Sequence, residues 1–204
     1  MKVAANIISI LLHPLLLTTY LVLLLAVYFP SMIMIAPQNL KIILAFVFCF
    51  TFILPAVNLL MFKYFGTISN YTLVSRRERI IPFVAISLIY IVMTFLFYYK
   101  LPFSQNFNNM ILIVTLLVVV STVLTFFQKV SVHSLAIWGG IGIMLPLNKA
   151  LEQSFLLWPT ALAIIGAGAV MSSRLYLNAH TPRQILIGGL AGFAIGFFGT
   201  IILF

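Results

Sequence analysis

The feature that most constrains this chain is a series of long apolar runs separated only by short polar segments. Hydrophobic residues make up 64% of the 204 positions, and charged residues make up 6%. A helix needs roughly 20 apolar residues to cross a hydrocarbon core of about 30 Å. The runs lack the alternation of a membrane β-barrel, and backbone in lipid must satisfy its own hydrogen bonds. We therefore expect an all-α, polytopic integral membrane helix bundle with six or seven transmembrane helices, forming a single domain over residues 1–204.

Charges, prolines and asparagine clusters delimit seven candidate crossings. The fifth is the least secure, because it is short and contains three glycines and a proline. The first follows Lys2 and has no small-residue cleavage site before Pro30, so we interpret it as a retained crossing and not a signal peptide. The crossings lie near residues 4–28, 40–63, 80–99, 109–128, 132–147, 156–172 and 184–203.

The small number of acidic residues limits the catalytic mechanisms and metal sites that the chain can form. The chain has 11 Lys and Arg against only two acidic residues, for a net charge of +9. With so few carboxylates, neither a two-carboxylate mechanism nor an oxygen-ligated metal site is expected, and we predict no metal and no cofactor. The cations are scattered among apolar runs and do not form one soluble patch, which argues against a nucleic-acid partner. Anionic lipid is the partner that this basicity favours.

If consecutive runs cross the membrane in alternating directions, residues 76–82, 129–133 and 174–183 lie on one membrane face. This face holds eight of the 11 cations, including every arginine, and two of the three histidines. By the positive-inside rule it would be cytoplasmic, but cations that bind a substrate are not free topology signals. We therefore leave the orientation open and expect these segments to form a site at one membrane interface.

The most specific segment begins with Ser173 and Arg174 and continues, after five residues, to His180. A guanidinium offers a planar fork of donors to phosphate oxygens, and a neutral imidazole is a competent nucleophile towards phosphorus. The letters SRLYLNAHTPRQ resemble the last motif, SRxxxxxHxxxD, of the type 2 phosphatidic acid phosphatase (lipid phosphate phosphatase) superfamily. Gln184 stands where that family has Asp.

Two further segments are similar to the other motifs of this family. Residues 130–133 read VSVH and resemble its PSGH motif, with the serine and the histidine retained. Residues 76–82 contain three arginines before Pro82 and are loosely similar to a first motif with a Lys and an Arg before a proline. The resemblance covers residues 76–203, which we interpret as a phosphatase-like core.

The resemblance implies a role for each matched residue. His180 would attack phosphorus and form a phosphohistidine, while His133 would protonate the leaving lipid oxygen and later activate water. Gln184 would orient the His180 ring without supplying the charge of an Asp. The residues implied in binding phosphoryl oxygens are Arg174, Ser131, Ser173 and one or more of Arg76, Arg77 and Arg79.

The function implied is a metal-independent membrane phosphatase that hydrolyses a lipid phosphate or a lipid pyrophosphate, expected in the bacterial inner (cytoplasmic) membrane. The alternative is a catalytically inactive relative that binds or moves anionic lipids, which the Gln184 substitution favours. A basic interfacial segment that only anchors to headgroups is a further interpretation of the cations. A channel or transporter ranks lower, because the chain has no internal repeat or intramembrane charge ladder.

Residues outside the motifs are interpreted structurally. His13 precedes Pro14, and we interpret it as a packing residue at a proline kink in preference to a cavity ligand. Cys49 is expected to be a buried small hydrophobe. Five glycines of the last run predict close helix packing, with a homodimer seam as the alternative: Gly188, Gly189, Gly192, Gly196 and Gly199.

Overall fold

A computed structural model of the chain describes residues 1–30, 37–71, 73, 75–101, 103–150 and 156–204. The described residues form helices and connecting turns, with no β-strand among them, which confirms the prediction of an all-α membrane bundle. A short 3-10 turn precedes α3, and a π-helical turn, Cys49–Ile53, joins α3 to α4. The helices are α1 (Lys2–Leu11), α2 (Pro14–Tyr28), α3 (Leu40–Phe48), α4 (Leu54–Tyr64), α5 (Arg76–Tyr99), α6 (Gln105–Phe127), α7 (Val132–Ala150), α8 (Leu157–Tyr176) and α9 (Pro182–Leu203).

Four helical segments of the described chain are long and apolar enough to cross a membrane: Leu40–Tyr64, Arg76–Tyr99, Gln105–Phe127 and Pro182–Leu203. The α1–α2 pair makes a fifth if its two helices, bent by 54°, are taken as one span. Helices α7 and α8, with 19 and 20 residues, are not among these segments. For these two helices, crossing of the membrane stays a prediction.

Two proline sites shape the first half of the bundle. Pro14 is the first residue of α2, where its missing N–H costs nothing, and the His13 imidazole caps this helix by accepting from the Leu15 N–H at 3.4 Å. Pro55 cannot donate to the carbonyl of Thr51, four residues earlier, and the buried Tyr90 hydroxyl donates to that carbonyl at 3.3 Å instead. The chain bends by 54° between α1 and α2, and at Pro55 the Tyr90 hydroxyl pairs the carbonyl that the proline leaves free. Cys49, in the same π-helical turn, is half-buried.

Helices α7 and α9 pack backbone against backbone through glycines of α9. An ideal Cβ at Gly192 would lie 2.0 Å from the Leu135 carbonyl oxygen, and one at Gly196 would lie 2.2 Å from that of Gly139. This confirms the predicted close packing of the small-residue face. All five glycines of that face contact α7 or α6 within the same chain, so a homodimer would have to use another surface.

Adding a methyl group at this contact is expected to destabilise the protein. For Gly192→Ala we expect a loss of about 1–3 kcal/mol or more, because the new methyl meets backbone, which cannot rotate away. Gly168→Ala, on an exposed face of α8 with no atom within 4 Å of the new Cβ, is the matched control and should be neutral or stabilising by up to about 1 kcal/mol. Thermal unfolding in detergent measures both, and equal midpoints would contradict the packing.

Candidate active site

The three basic segments predicted to share one membrane face are in direct contact. Arg79, in the first turn of α5, donates from Nη1 to the Val130 carbonyl at 3.2 Å. Ser131, just before α7, donates from its backbone N–H to the Gln184 carbonyl at 3.2 Å. The beginnings of α5, α7 and α9 therefore meet at one end of the bundle.

A cavity of about 710 Å³ opens at this meeting point and extends between α2, α5, α6 and α7. Its walls include His13, Arg79 and His133, and on each of the three helices the lining continues to a residue eleven positions further along: Leu24, Tyr90 and Met144. Eleven helical residues span about 16 Å, roughly half of the hydrocarbon core. The cavity is therefore an apolar shaft with Arg79, Arg174, His13, His133 and His180 at one end.

His180 lies in the turn between α8 and α9 and is only 8% exposed. Its Nδ1 is 3.0 Å from Gln184 Oε1, which also accepts from the Thr181 N–H at 3.4 Å. Gln184 and Thr181 form a capping box at the start of α9, so the amide oxygen faces both groups. Because an amide oxygen only accepts, Nδ1 of His180 carries the proton and Nε2 keeps its lone pair.

The environment keeps the His180 ring neutral. Burial lowers the pKa of His180 to about 4; the Gln184 hydrogen bond raises it, and the nearby cations Arg79, Lys129 and Arg174 lower it. Burial, together with Arg79 and Arg174, also lowers the pKa of Lys129. At pH 7 the imidazole is therefore neutral, with its proton on Nδ1, and this is the form that acts as a nucleophile.

His133 faces the same cavity from the first turn of α7. Its Nε2 lies 3.1 Å from the backbone carbonyl oxygen of Ser9, 124 residues away in the sequence. A carbonyl can only accept, so Nε2 is the protonated nitrogen and Nδ1 is the titrating one. The ring of His13 meets His133 edge-on, with ring centroids 5.4 Å apart and planes at 82°.

Two guanidiniums share the polar end of the cavity. Arg79 is 6% exposed and donates to two backbone carbonyls, those of Leu73 at 2.7 Å and Val130 at 3.2 Å. Arg174 is half-buried, and within the described chain its buried Nε has no hydrogen-bond partner.

No carboxylate of the described chain balances these charges. Glu78 accepts from the Ser69 N–H at 3.3 Å and is absent from the described lining of the cavity, and the second acid, Glu152, lies outside the described residues. Buried positive charge without a counter-ion favours binding of an anion, since an unpaired buried charge is costly.

The structure does not bring four of the predicted phosphate-binding residues to the described lining of the cavity: Arg76, Arg77, Ser131 and Ser173. Arg76 donates to the last carbonyls of α6, those of Phe126 and Phe127, and Arg77 is exposed. The Ser131 hydroxyl accepts from the Ser134 N–H and so caps α7. The Ser173 hydroxyl donates to the Ala169 carbonyl of its own helix.

Sequence reasoning gave no site role to Ser9 and His13, which line the cavity. The interpretation of His13 as a packing residue at a proline kink holds for its Nδ1, which caps α2, but the ring also faces the cavity. A signal was present, because Ser9 and His13 are polar residues four positions apart in an otherwise apolar run, which places them on one side of the chain at a helix break.

A smaller cavity of about 340 Å³ adjoins His180 and has Lys129, Thr181 and Gln184 in its walls. His180 therefore lines both the apolar shaft and this smaller, more polar cavity.

Comparison with known proteins adds one similarity to this geometry. A curated relative is the undecaprenyl-diphosphatase of Thermosipho africanus (strain TCF52B), which is 31% identical over 104 residues. The match covers 51% of this chain and 40% of the relative, so the chain matches less than half of the relative's length. No family model matches the chain, and no solved structure matches it.

Proposed function

We propose that this chain is a membrane phosphatase that hydrolyses a lipid phosphate or a lipid pyrophosphate through a phosphohistidine, without a metal. The observation that carries the proposal is one cavity that combines a neutral imidazole having a free Nε2 lone pair, two guanidiniums without a carboxylate partner in the described chain, and an apolar shaft. The similarity to an undecaprenyl-diphosphatase supports a lipid pyrophosphate as substrate. We place the protein in the bacterial inner membrane.

The shape of the cavity suits such a substrate. A phosphoryl group at the polar end would lie beside Arg79 and Arg174, and the first part of the hydrocarbon chain would occupy the shaft. The cavity would then bind both ends of an amphiphilic molecule. Charge-assisted hydrogen bonds would hold the phosphate, and burial of apolar surface would stabilise the bound hydrocarbon chain. A water-soluble phosphate ester would use only the first of these interactions.

The proposed reaction has two steps. In the first, His180 Nε2 attacks the terminal phosphorus; the P–N bond forms, the P–O bond to the leaving group breaks, and the leaving oxygen takes a proton from Nδ1 of protonated His133. The leaving group is the lipid alcohol of a lipid phosphate or the lipid phosphate of a lipid pyrophosphate. In the second, His133 takes a proton from water, the hydroxide attacks phosphorus, and the P–N bond breaks to release phosphate and restore His180. Arg79 and Arg174 stabilise the charge on the phosphoryl oxygens throughout.

A catalytically inactive relative that binds or moves anionic lipids is the second candidate. The observation that favours it is the partner of the His180 ring, because Gln184 is a neutral amide. A neutral partner orients the ring but does not stabilise the positive charge that develops on it during attack. The cavity binds an anionic lipid in either case, so only turnover separates the two candidates.

The test is phosphate release by purified protein in detergent with a metal chelator present. The substrates are phosphatidic acid, phosphatidylglycerol phosphate and a polyprenyl pyrophosphate. We expect release from at least one of them, and unchanged release by the control variant Arg183→Gln, whose arginine is exposed on the same face outside both described cavities. Absence of release from all three would remove the enzyme proposal and leave the lipid-binding one.

A further inference from the structure

The break between α1 and α2 forms one wall of the cavity's polar end. Asn6, Ser9 and His13 all line the cavity there. These residues lie outside the phosphatase-like segment 76–203, and none of them has a role in the chemistry proposed above. Helix α1 packs against α8, the helix that carries Arg174, and Arg174 lines the same cavity.

The Ser9 hydroxyl is a buried polar group without a partner. Ser9 is 6% exposed, and its Oγ makes no hydrogen bond within the described chain. A hydroxyl in a helix usually donates to the carbonyl four residues earlier or bonds to another side chain, because leaving it unpaired costs free energy. Arg174 Nε also has no hydrogen-bond partner in the described chain, and Arg174 lines the same cavity. Two lining residues with an unpaired donor each indicate a ligand rich in acceptor oxygens.

His13 supplies a third donor. Its Nδ1 accepts from the Leu15 N–H, so the neutral ring must carry its proton on Nε2. The ring lies in the cavity wall beside His133. Capping α2 through one nitrogen therefore leaves the other as an N–H donor of fixed tautomer.

We propose that the α1–α2 break is part of the anion site, with Ser9 Oγ–H and His13 Nε2–H donating to oxygens of the phosphoryl group that Arg174 binds. The identity of the ligand as a lipid phosphoryl group rests on the proposed function, whereas anion binding itself does not. The assignment accounts for Ser9 and His13, because unpaired polar side chains in an apolar span cost free energy. The break at Pro14 places His13 at the Ncap position of α2, where its Nδ1 caps the helix.

The test uses orthovanadate as a phosphoryl mimic and measures its dissociation constant with the detergent-purified full chain. Ser9→Ala and His13→Ser should each weaken vanadate binding by about tenfold or more, the usual effect of losing one hydrogen bond to a charged group. Serine is a good Ncap residue, so His13→Ser keeps the cap of α2 and removes only the donor. Ser9→Thr keeps the hydroxyl and should bind vanadate nearly as well as the parent.

The control for loss of a buried hydroxyl is Ser87→Ala. Ser87 is 7% exposed, bonds to Thr122 at 2.7 Å and is not among the described residues that line the cavity, so vanadate binding should not change. Parent-like binding by Ser9→Ala and His13→Ser, with binding lost in Arg174→Gln, would overturn this inference and leave the proposed function intact. If His13→Ala binds vanadate weakly while His13→Ser binds it like the parent, His13 acts only as the cap of α2 and not as a donor to the anion. A parent that neither binds vanadate nor releases phosphate would remove both proposals.

Discussion

The His180→Asn variant is expected to release phosphate at least about 10⁴-fold more slowly than the parent, the order of loss seen when a hydrolase loses its covalent nucleophile. The physical reason is that Nε2 of His180 is the free lone pair at the polar end of the cavity, while Nδ1 is committed to Gln184. Asparagine has no comparable nucleophile. The measurement is the steady-state rate of phosphate release, with base-quenched protein assayed in parallel for a bound phosphoryl group, which the parent should carry and the variant should not.

Two controls make this result interpretable. Vanadate binding should persist in His180→Asn, because Arg79 and Arg174 are unchanged, and its thermal unfolding should stay close to that of the parent. Arg183→Gln, exposed and two residues beyond Thr181, should keep full activity. A rate for His180→Asn within tenfold of the parent would show that another group attacks phosphorus.

The Gln184→Glu variant is expected to hydrolyse its substrate at least about tenfold faster than the parent. The upper limit is about 10⁴-fold, which is the loss seen in a serine protease on the reverse change from an acid to an amide. Glutamate has the length of glutamine, so its carboxylate would lie where Oε1 now is, 3.0 Å from His180 Nδ1. It also preserves the capping box at the third position of α9 and complements the positive end of that helix. The carboxylate would raise the pKa of His180 from about 4 and stabilise the positive charge formed during attack.

The measurement is kcat for phosphate release as a function of pH in the parent and in Gln184→Glu. Gln38→Glu, an exposed position distant in sequence from the motifs, makes the same charge change and should leave kcat unaltered. If the Glu variant binds vanadate but hydrolyses no faster than the parent, the neutral amide is not what limits turnover. If neither protein hydrolyses any substrate, the lipid-binding alternative is favoured.

The helix bundle could be predicted from the sequence because the hydropathy of a segment is the sum of contributions from its individual residues. The predicted runs are largely helical in the described chain, although the first, 4–28, consists of two helices bent by 54°. The run 132–147 lies within α7 in spite of its three glycines. Two of those glycines face neighbouring helices, Gly139 towards Leu117 and Gly142 towards the backbone of Phe193, so they serve packing and do not break the helix. Propensity alone ranks such a segment too low, since it omits the helix that packs against it.

The spacing of Arg174 and His180 was also enough to bring them together. Six residues that leave one helix and enter a tight turn cannot carry the second side chain far from the first, and both line the cavity. Spacing could not show which of Arg76, Arg77 and Arg79 turns inwards. Neighbouring residues on a helix point about 100° apart, so only the contacts of α5 decide that Arg79 is buried while Arg76 and Arg77 are exposed.

Hydroxyl groups were the least predictable part of the site. Ser131 and Ser173 match motif positions, yet each bonds to nearby backbone, which competes with any ligand for a short side chain. Ser9 matches no motif, and its hydroxyl is unpaired in the described chain and lines the cavity. Whether a serine is free to bind depends on the carbonyls and N–H groups around it, and these are set by helix ends and neighbours.

Hydropathy and the positions of the arginines were enough to predict a helical membrane protein with those arginines gathered at one end, because apolar length and charge position are properties of single segments of the chain. Contacts between distant helices were needed to show that Ser9 meets His133 across 124 residues, that the His13 ring packs against His133, and that Arg79 lines the cavity while Arg76 and Arg77 do not. A buried polar site is defined by directions and contacts between such helices, and these are set by the backbone-to-backbone packing of α7 on α9 and by the packing of α1 on α8.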